Sequence, residues 1–193
     1  IYGDANQYPT PENCPPNPKS YYAINKLASE QYIKLFSSYN KIKYTIFRLF
    51  TTYGEGQNLQ NRNQGLLSIY LSYILANENL IVKGSPDRKR DLICVSDVVD
   101  VILKSLDAKI TYNKIYNLGS GMSISVGRII ELLIEGLAEK PNEYFVKYED
   151  STPGDPHETL AEMSLLKNDL SWAPKLMPED GIKKTIEYYK KII

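Results

Sequence analysis

Between Ser20 and Tyr39 apolar residues recur at Ile24, Leu27, Ala28, Tyr32, Leu35 and Phe36, the three-and-four spacing of one helical face. "KYTIFRLF" follows as a strand apolar enough to be buried on both sides. The next stretch, "TTYGEGQNLQNRNQ", reads as a long polar loop of the kind that often carries function. A second helix is predicted from about Gly65 to Ala76 on the run "LLSIYLSYIL". Two short strands, "LIVKG" and "DLICV", flank the charged turn "SPDRKR". Ser96 is placed as an N-cap, with Asp97 in the first turn of a helix reaching about Leu106. "IYNLG" then predicts a strand, "SVGRIIELLIEGLAE" a helix and "YFVKYE" a strand. "MSLLKNDL" and "EDGIKKTIEYYKKI" close the chain as helices. The opening "IYGDANQYPTPENCPPNPKS" is rich in Pro and Asn and has no period, so it is a loop. Alternating helices and strands imply an α/β architecture.

Composition narrows the function. At 193 residues the chain can build one good core, or a domain with a small appendage. Lys+Arg and Asp+Glu both number 23, so no global charge points to nucleic acid or to an anionic membrane. The 16 tyrosines are scattered, as half-buried amphipathic residues are, and form no spaced platform for bases. Cys14 and Cys94 stand far apart without a CxxC spacing, and His157 is the lone histidine, so a reducing compartment and no metal are expected. No apolar run nears the roughly 18 residues of a membrane span and no secretory signal opens the chain. A cytoplasmic protein is the expectation.

The segment "PKSYYAINKLASEQ" carries the chemistry. Residues four apart share a helical face, so Tyr22 and Lys26 point the same way, whereas Tyr21 is matched by the uncharged Asn25. A phenol with a pKa of about 10 is a poor base at neutral pH, and a nearby ammonium favours its phenolate. Lowering that pKa by about three units takes roughly 4 kcal/mol, part from the lysine and part from a cationic cofactor ring. Such a phenolate accepts a hydroxyl proton, as oxidation of an alcohol by hydride loss requires. A second match, Tyr39 with Lys43, straddles a helix end and is discounted.

These surroundings resemble the active-site segment of extended short-chain dehydrogenases/reductases, and more narrowly the NAD-dependent nucleotide-sugar epimerase/dehydratase family. The family order of a "VYG" segment, a Pro-rich loop and a "SPYxxSK" helix start is matched by Ile1-Tyr2-Gly3, the loop, and Ser20-Tyr21-Tyr22 running to Lys26. "FRLFTTYGEGQ", "GSPDRKRDLICVSDVVDVI", "YNLGSGMSISV" and "TPGDPHETLAEMSLLKNDLSWAPKLMPEDGIKKTIEYY" are similar to four further family blocks in the same order. Together they cover essentially the whole chain.

The resemblance implies hydride chemistry on a sugar bound to a nucleotide diphosphate, with NAD as cofactor. Tyr22 is then the base, and Lys26 tunes it while holding the nicotinamide ribose. Arg90 faces the diphosphate and Asp155, in "PGD", contacts the nucleotide or positions its neighbours. From the residues alone, Arg90 among Asp87, Arg88, Lys89 and Asp91 reads as a solvated turn, and Asp155 as a surface turn. Thr51 stands where the family usually has a substrate-facing asparagine, and Thr152 where many members have an arginine. Arg48, inside a buried-type strand, is read as a structural ion-pair residue, and Trp172 as a packing anchor.

The implied fold is the C-terminal part of a Rossmann-like doubly wound α/β fold plus the small substrate domain. Residues 1–60 are expected to end the dinucleotide-binding domain, and 61–193 to form mainly the nucleotide-sugar domain, with segments returning to the Rossmann part. A dinucleotide site needs a glycine-rich turn between a strand and a helix. "GEG" at Gly54 and "GSG" at Gly119 each lack its third glycine. By family architecture roughly 120 residues carrying that turn are expected ahead of Ile1. The isolated chain is therefore expected neither to bind NAD nor to turn over, and to leave "KYTIFRLF" with an unpaired edge. A homodimer through the tyrosine-bearing helix is the expected assembly. A 4-epimerase working through a transient 4-keto sugar is the leading expectation. The alternatives are a 4,6-dehydratase and a non-catalytic module that binds sugar nucleotides or a partner chain.

Overall fold

Ser20 turns the Pro-rich opening segment into a helix. In the computed structural model, which describes residues 1–192, its hydroxyl accepts a hydrogen bond from the Ala23 amide at 3.2 Å and caps α1 (Tyr21–Asn40). The helix stops at Lys41, whose backbone is left-handed. Strand β1 (Thr45–Leu49) follows, then β2 (Thr51–Tyr53), α2 (Leu66–Leu75), β3 (Leu80–Lys83), β4 (Lys89–Cys94) and α3 (Val95–Leu106). The second half runs β5 (Lys114–Leu118), β6 (Ser123–Ser125), α4 (Val126–Leu137), β7 (Val146–Glu149), α5 (Ser164–Leu170) and α6 (Pro178–Ile192).

Strand pairing is mostly parallel. β1 pairs with β5, Thr45 opposite Lys114 through Leu49 opposite Leu118. β4 lies between β2, which is parallel to it, and β6, which is antiparallel. β3 pairs in parallel with β7.

Two apolar cores sit on these strands. The larger joins β3 and β4 to α2, α4 and α6 through residues such as Leu71, Leu80, Leu133 and Ile182, all fully buried. Helix α6 comes close enough to do this because Gly181 has no side chain: a Cβ there would lie 1.6 Å from the Tyr53 hydroxyl oxygen. The smaller core joins β5, α3 and α5 through Val101, Tyr116, Leu118, Leu166 and Trp172, with Phe47 of β1 stacked on Tyr116 at 5.9 Å. Trp172 is the packing anchor expected of it, and its indole N–H donates to Asp100 at 2.7 Å.

Asp91 ties three segments together. Its fully buried carboxylate accepts from the Ser120 amide at 2.6 Å, the Ser120 hydroxyl at 2.7 Å, the Gly121 amide at 3.1 Å and the Ala161 amide at 2.9 Å. The "GSG" at Gly119 therefore wraps a side chain of the protein itself.

Several expectations need correction. Thr51–Tyr53, expected in a loop, forms β2, and Ser123–Ser125 forms a strand that was not expected. Arg90 belongs to β4 and is 5% exposed, so the solvated-turn reading fails. Ser96 does not cap α3, because β4 runs straight into the helix and Cys94 occupies the cap. β1 is half-buried with Leu49 exposed, since one of its edges pairs with β5 and no strand of the described residues covers the other. No helix of the described residues is long and apolar enough to cross a membrane.

Candidate active site

Tyr22, Lys26 and Glu30 follow one another at four-residue spacing along α1 and face one cleft of about 530 Å³. Thr51, at the start of β2, lines the same cleft, as do Tyr2 and Gly154. The Lys26 ammonium sits 5.4 Å from the centroid of the Tyr22 ring, over its face. Tyr22 is 71% exposed and open to a ligand in the cleft. Tyr39 is the last residue but one of α1 and Lys43 lies beyond the helix, so this second tyrosine–lysine match shares no helical face.

Polar residues of the cleft wall pair with one another. Arg48 of β1 donates to both carboxylate oxygens of Glu30 at 2.8 Å, and to the Tyr2 hydroxyl at 2.7 Å. Tyr2 in turn donates to Asn117 of β5 at 2.7 Å. Burial pushes the Arg48 guanidinium down, but its bonds to Glu30 and Tyr2 outweigh this and hold it above its ordinary pKa. The ion-pair role expected of Arg48 is thus what the structure contains. Glu30 is the partner that sequence reasoning did not supply; it lies one further helical turn along the tyrosine–lysine stripe, the signal by which it could have been found.

Arg90 and Asp155 meet at the margin of this cleft. The Asp155 carboxylate accepts from Arg90 at 2.9 Å and, through its other oxygen, from Arg88. Gly154 and Pro156 line the cleft, so Asp155 stands between two of its wall residues with its side chain turned to the arginines. A turn closed by the Asp155 amide on the Thr152 carbonyl at 3.1 Å sets that direction. Burial lowers the Arg90 pKa, with Asp155 opposing the shift. Tyr70, buried beside the pair, is pushed up to about 12 by desolvation. Sequence reasoning missed Arg88, although residues two apart along an extended segment share a face, and Arg88 and Arg90 have that spacing.

The structure thus gathers Tyr22, Lys26 and Thr51 on one cleft and pairs Arg90 with Asp155, which stands between two lining residues. A family model described as NAD dependent epimerase/dehydratase matches residues 1–119. The chain belongs to this family. A solved UDP-glucose 4-epimerase from Thermotoga maritima, crystallised with UDP-glucose, is 30% identical with a TM-score of 0.86; the match covers 98% of this chain and 60% of that one. A dTDP-4-dehydro-6-deoxyglucose reductase from Escherichia coli is 28% identical over 97% of this chain and 57% of its own length. The mouse dTDP-D-glucose 4,6-dehydratase is 28% identical over 99% of this chain and 53% of its own. The family member described here therefore spans somewhat more than half the length of these relatives, and shares the Rossmann-like α/β fold of extended short-chain dehydrogenase epimerases.

Proposed function

We propose that this chain carries the acid–base and sugar-nucleotide parts of an NAD-dependent sugar-nucleotide 4-epimerase. The observation that carries the reading is the convergence of Tyr22, Lys26 and Thr51 on one cleft in a chain of this family. In this reading Tyr22 takes the proton from the sugar O4 as a hydride leaves C4, giving a transient 4-keto sugar, and returns the proton when the hydride is restored to the opposite face. Lys26, whose ammonium lies over the Tyr22 ring, holds the nicotinamide ribose. Thr51 offers a hydroxyl to the sugar, and Arg90 meets the diphosphate with its planar fork. NAD, when bound, supplies the hydride acceptor.

The residues present fit one end of that cofactor. Tyr22 and Lys26 open on the cleft, where a nicotinamide ribose can reach them. Among the described residues no glycine-rich turn joins a strand to a helix, so nothing here cradles the pyrophosphate. The smaller core with α1 and β1 would be the end of the dinucleotide-binding domain, and the larger core the nucleotide-sugar domain. The exposed Tyr32, Leu35 and Phe36 of α1 support a homodimer through that helix. Sedimentation of the native protein as a monomer at micromolar concentration would remove this assembly.

Replacing Tyr22 by Phe tests the chemistry: kcat for UDP-sugar 4-epimerisation by the native protein is expected to fall by about 10²–10⁴-fold, with sugar-nucleotide affinity nearly unchanged. Unaltered turnover refutes the assignment. The similarity to a 4,6-dehydratase gives the second reading, under which the product is a 4-keto-6-deoxy sugar instead of an epimer. The isolated chain is expected to purify without NAD; a stoichiometric content would overturn that expectation. Sugar-nucleotide binding without turnover by the native protein would leave a binding module.

A further inference from the structure

Residues 31–54 and 108–130 contain neither Asp nor Glu, and the fold brings these two stretches together. They meet as β1 and β5, which run parallel, so the segments leading into both strands lie at one end of the pair. The Asn113 amide donates to the Tyr44 carbonyl at 2.7 Å, and the Thr45 hydroxyl donates to the Thr111 carbonyl at 3.1 Å. These bonds hold the two leading segments side by side. Lys34, Lys41 and Lys43 line an open recess of about 530 Å³ together with Ile42 and Asn113. Lys109, four residues before Asn113, adds a fourth exposed ammonium. Among the described residues none of these four lysines has a carboxylate within ion-pair distance, whereas Lys114 is held by Asp169 at 2.7 Å. Of the acids nearest to them along the chain, Glu30 is taken up by Arg48, which leaves Asp107 against four lysines. Apolar side chains stand among these charges. Ile42 and Ile110 are each 51% exposed, and Tyr112 is exposed as well.

We propose that this end of the molecule is a docking face for a membrane surface of anionic lipid. The lysines attract the headgroups, and their flexible stems let each ammonium reach a lipid phosphate or carboxylate. Ile42 and Ile110 supply the apolar area that enters the boundary between headgroups and acyl chains. The equal totals of 23 basic and 23 acidic residues conceal this local excess, because the acids lie elsewhere. A second copy is excluded as the occupant, since a two-fold contact would set these lysines against themselves. Nucleic acid is better matched by the planar fork of arginine, and the cluster has none. The face is also remote from the candidate chemistry. Tyr22 stands at the start of α1 and Lys41 at its end, so the rise of the helix puts about 30 Å between them. The cleft therefore stays open to solvent while the far end of the helix is seated on lipid.

Co-sedimentation of the native protein with vesicles is the test, using a roughly 70:30 mixture of phosphatidylcholine and phosphatidylserine against phosphatidylcholine alone. Binding to the mixed vesicles is expected to be at least about 100-fold tighter, and to be lost as salt rises from about 0.1 M to about 0.5 M. Lys34→Gln, Lys41→Asn and Lys43→Gln are each expected to weaken it about fivefold. Asn is the choice at position 41 because the backbone there is left-handed (φ +55°). Ile42→Ser removes apolar area without touching charge and is expected to weaken binding about tenfold. Circular dichroism of each variant checks that α1 is intact. Equal affinity for the two kinds of vesicle, or mixed-vesicle binding that the three lysine variants leave unchanged, overturns the proposal. Binding that Ile42→Ser leaves unchanged overturns the seating in lipid. A single-stranded oligonucleotide bound with the same dependence on lysine, with no binding to vesicles, makes nucleic acid the occupant and overturns it too. Should a variant not fold, the wild-type protein still decides through the paired vesicles and the salt series.

Discussion

Helix α4 buries Val126, Ile129, Ile130, Leu132 and Leu133 within its twelve residues, whereas α1, twenty residues long, buries Glu30 alone. The first is held by apolar area on one face, against β4, α2 and α6. The second is held by a capped start and by one bidentate ion pair to β1. The helix that carries the candidate chemistry is therefore the one whose placement depends on direction-specific polar contacts. A buried ion pair fixes axial position and rotation together, because both oxygens must meet both nitrogens. Apolar packing tolerates small slides that such a clamp does not.

The largest expected effect comes from breaking the clamp. Arg48→Ala leaves Glu30 buried without its partner, and about 3–5 kcal/mol of stability should be lost. Amide exchange in α1 is expected to rise well before that in α4; a uniform rise across the chain would erase the distinction between the two helices. Leu133→Ala should cost about 2–5 kcal/mol by leaving a cavity in the larger core. Here helical and aromatic probes are expected to shift together in a denaturant titration, and a lag between them would contradict a single apolar core. Ser20→Ala removes the α1 cap for about 1 kcal/mol. Its signature is faster exchange at Ala23, with α4 unchanged.

The smallest effect concerns acid. Burial pushes the Asp169 carboxyl up, but hydrogen bonds from Lys114 at 2.7 Å and Tyr116 at 2.5 Å prevail and hold it below its ordinary value. A depressed carboxylate stabilises the fold above its unfolded pKa, near 4, and loses that contribution as pH falls through the lowered folded value. Asp169→Asn should flatten that part of the stability curve below about pH 4 and leave α1 unaffected. A curve that stays equally steep would assign the acid response elsewhere.

Local patterns carried a good deal of this structure. The limits of α1 and α4 follow from their spacing, and the need of Arg48 for a partner follows from a charge placed in an apolar strand. What the pattern could not carry was who covers whom. Ile24, Tyr32, Leu35 and Phe36 mark a face of α1, yet all four are exposed, because periodicity defines a face without supplying its cover. Arg90 looked solvated among its charged neighbours, and its burial depends on Asp155, 65 residues later. Family blocks located Tyr22, Lys26 and Thr51, while Arg88 fell at an unspecified position of its block and emerged only when its fold neighbours were in place.

The Asp91 carboxylate has a consequence for synthesis. Its partners lie 29, 30 and 70 residues downstream, at Ser120, Gly121 and Ala161. At about 5–20 residues per second, a ribosome needs roughly 4–14 s to go from Asp91 to Ala161. During that interval β4 exists as nascent chain with its central acid still bathed in water. Only when the closing segment arrives can the acid be sealed, and the arginine-bearing strand with it. The centre of this molecule waits for a segment made 70 residues later.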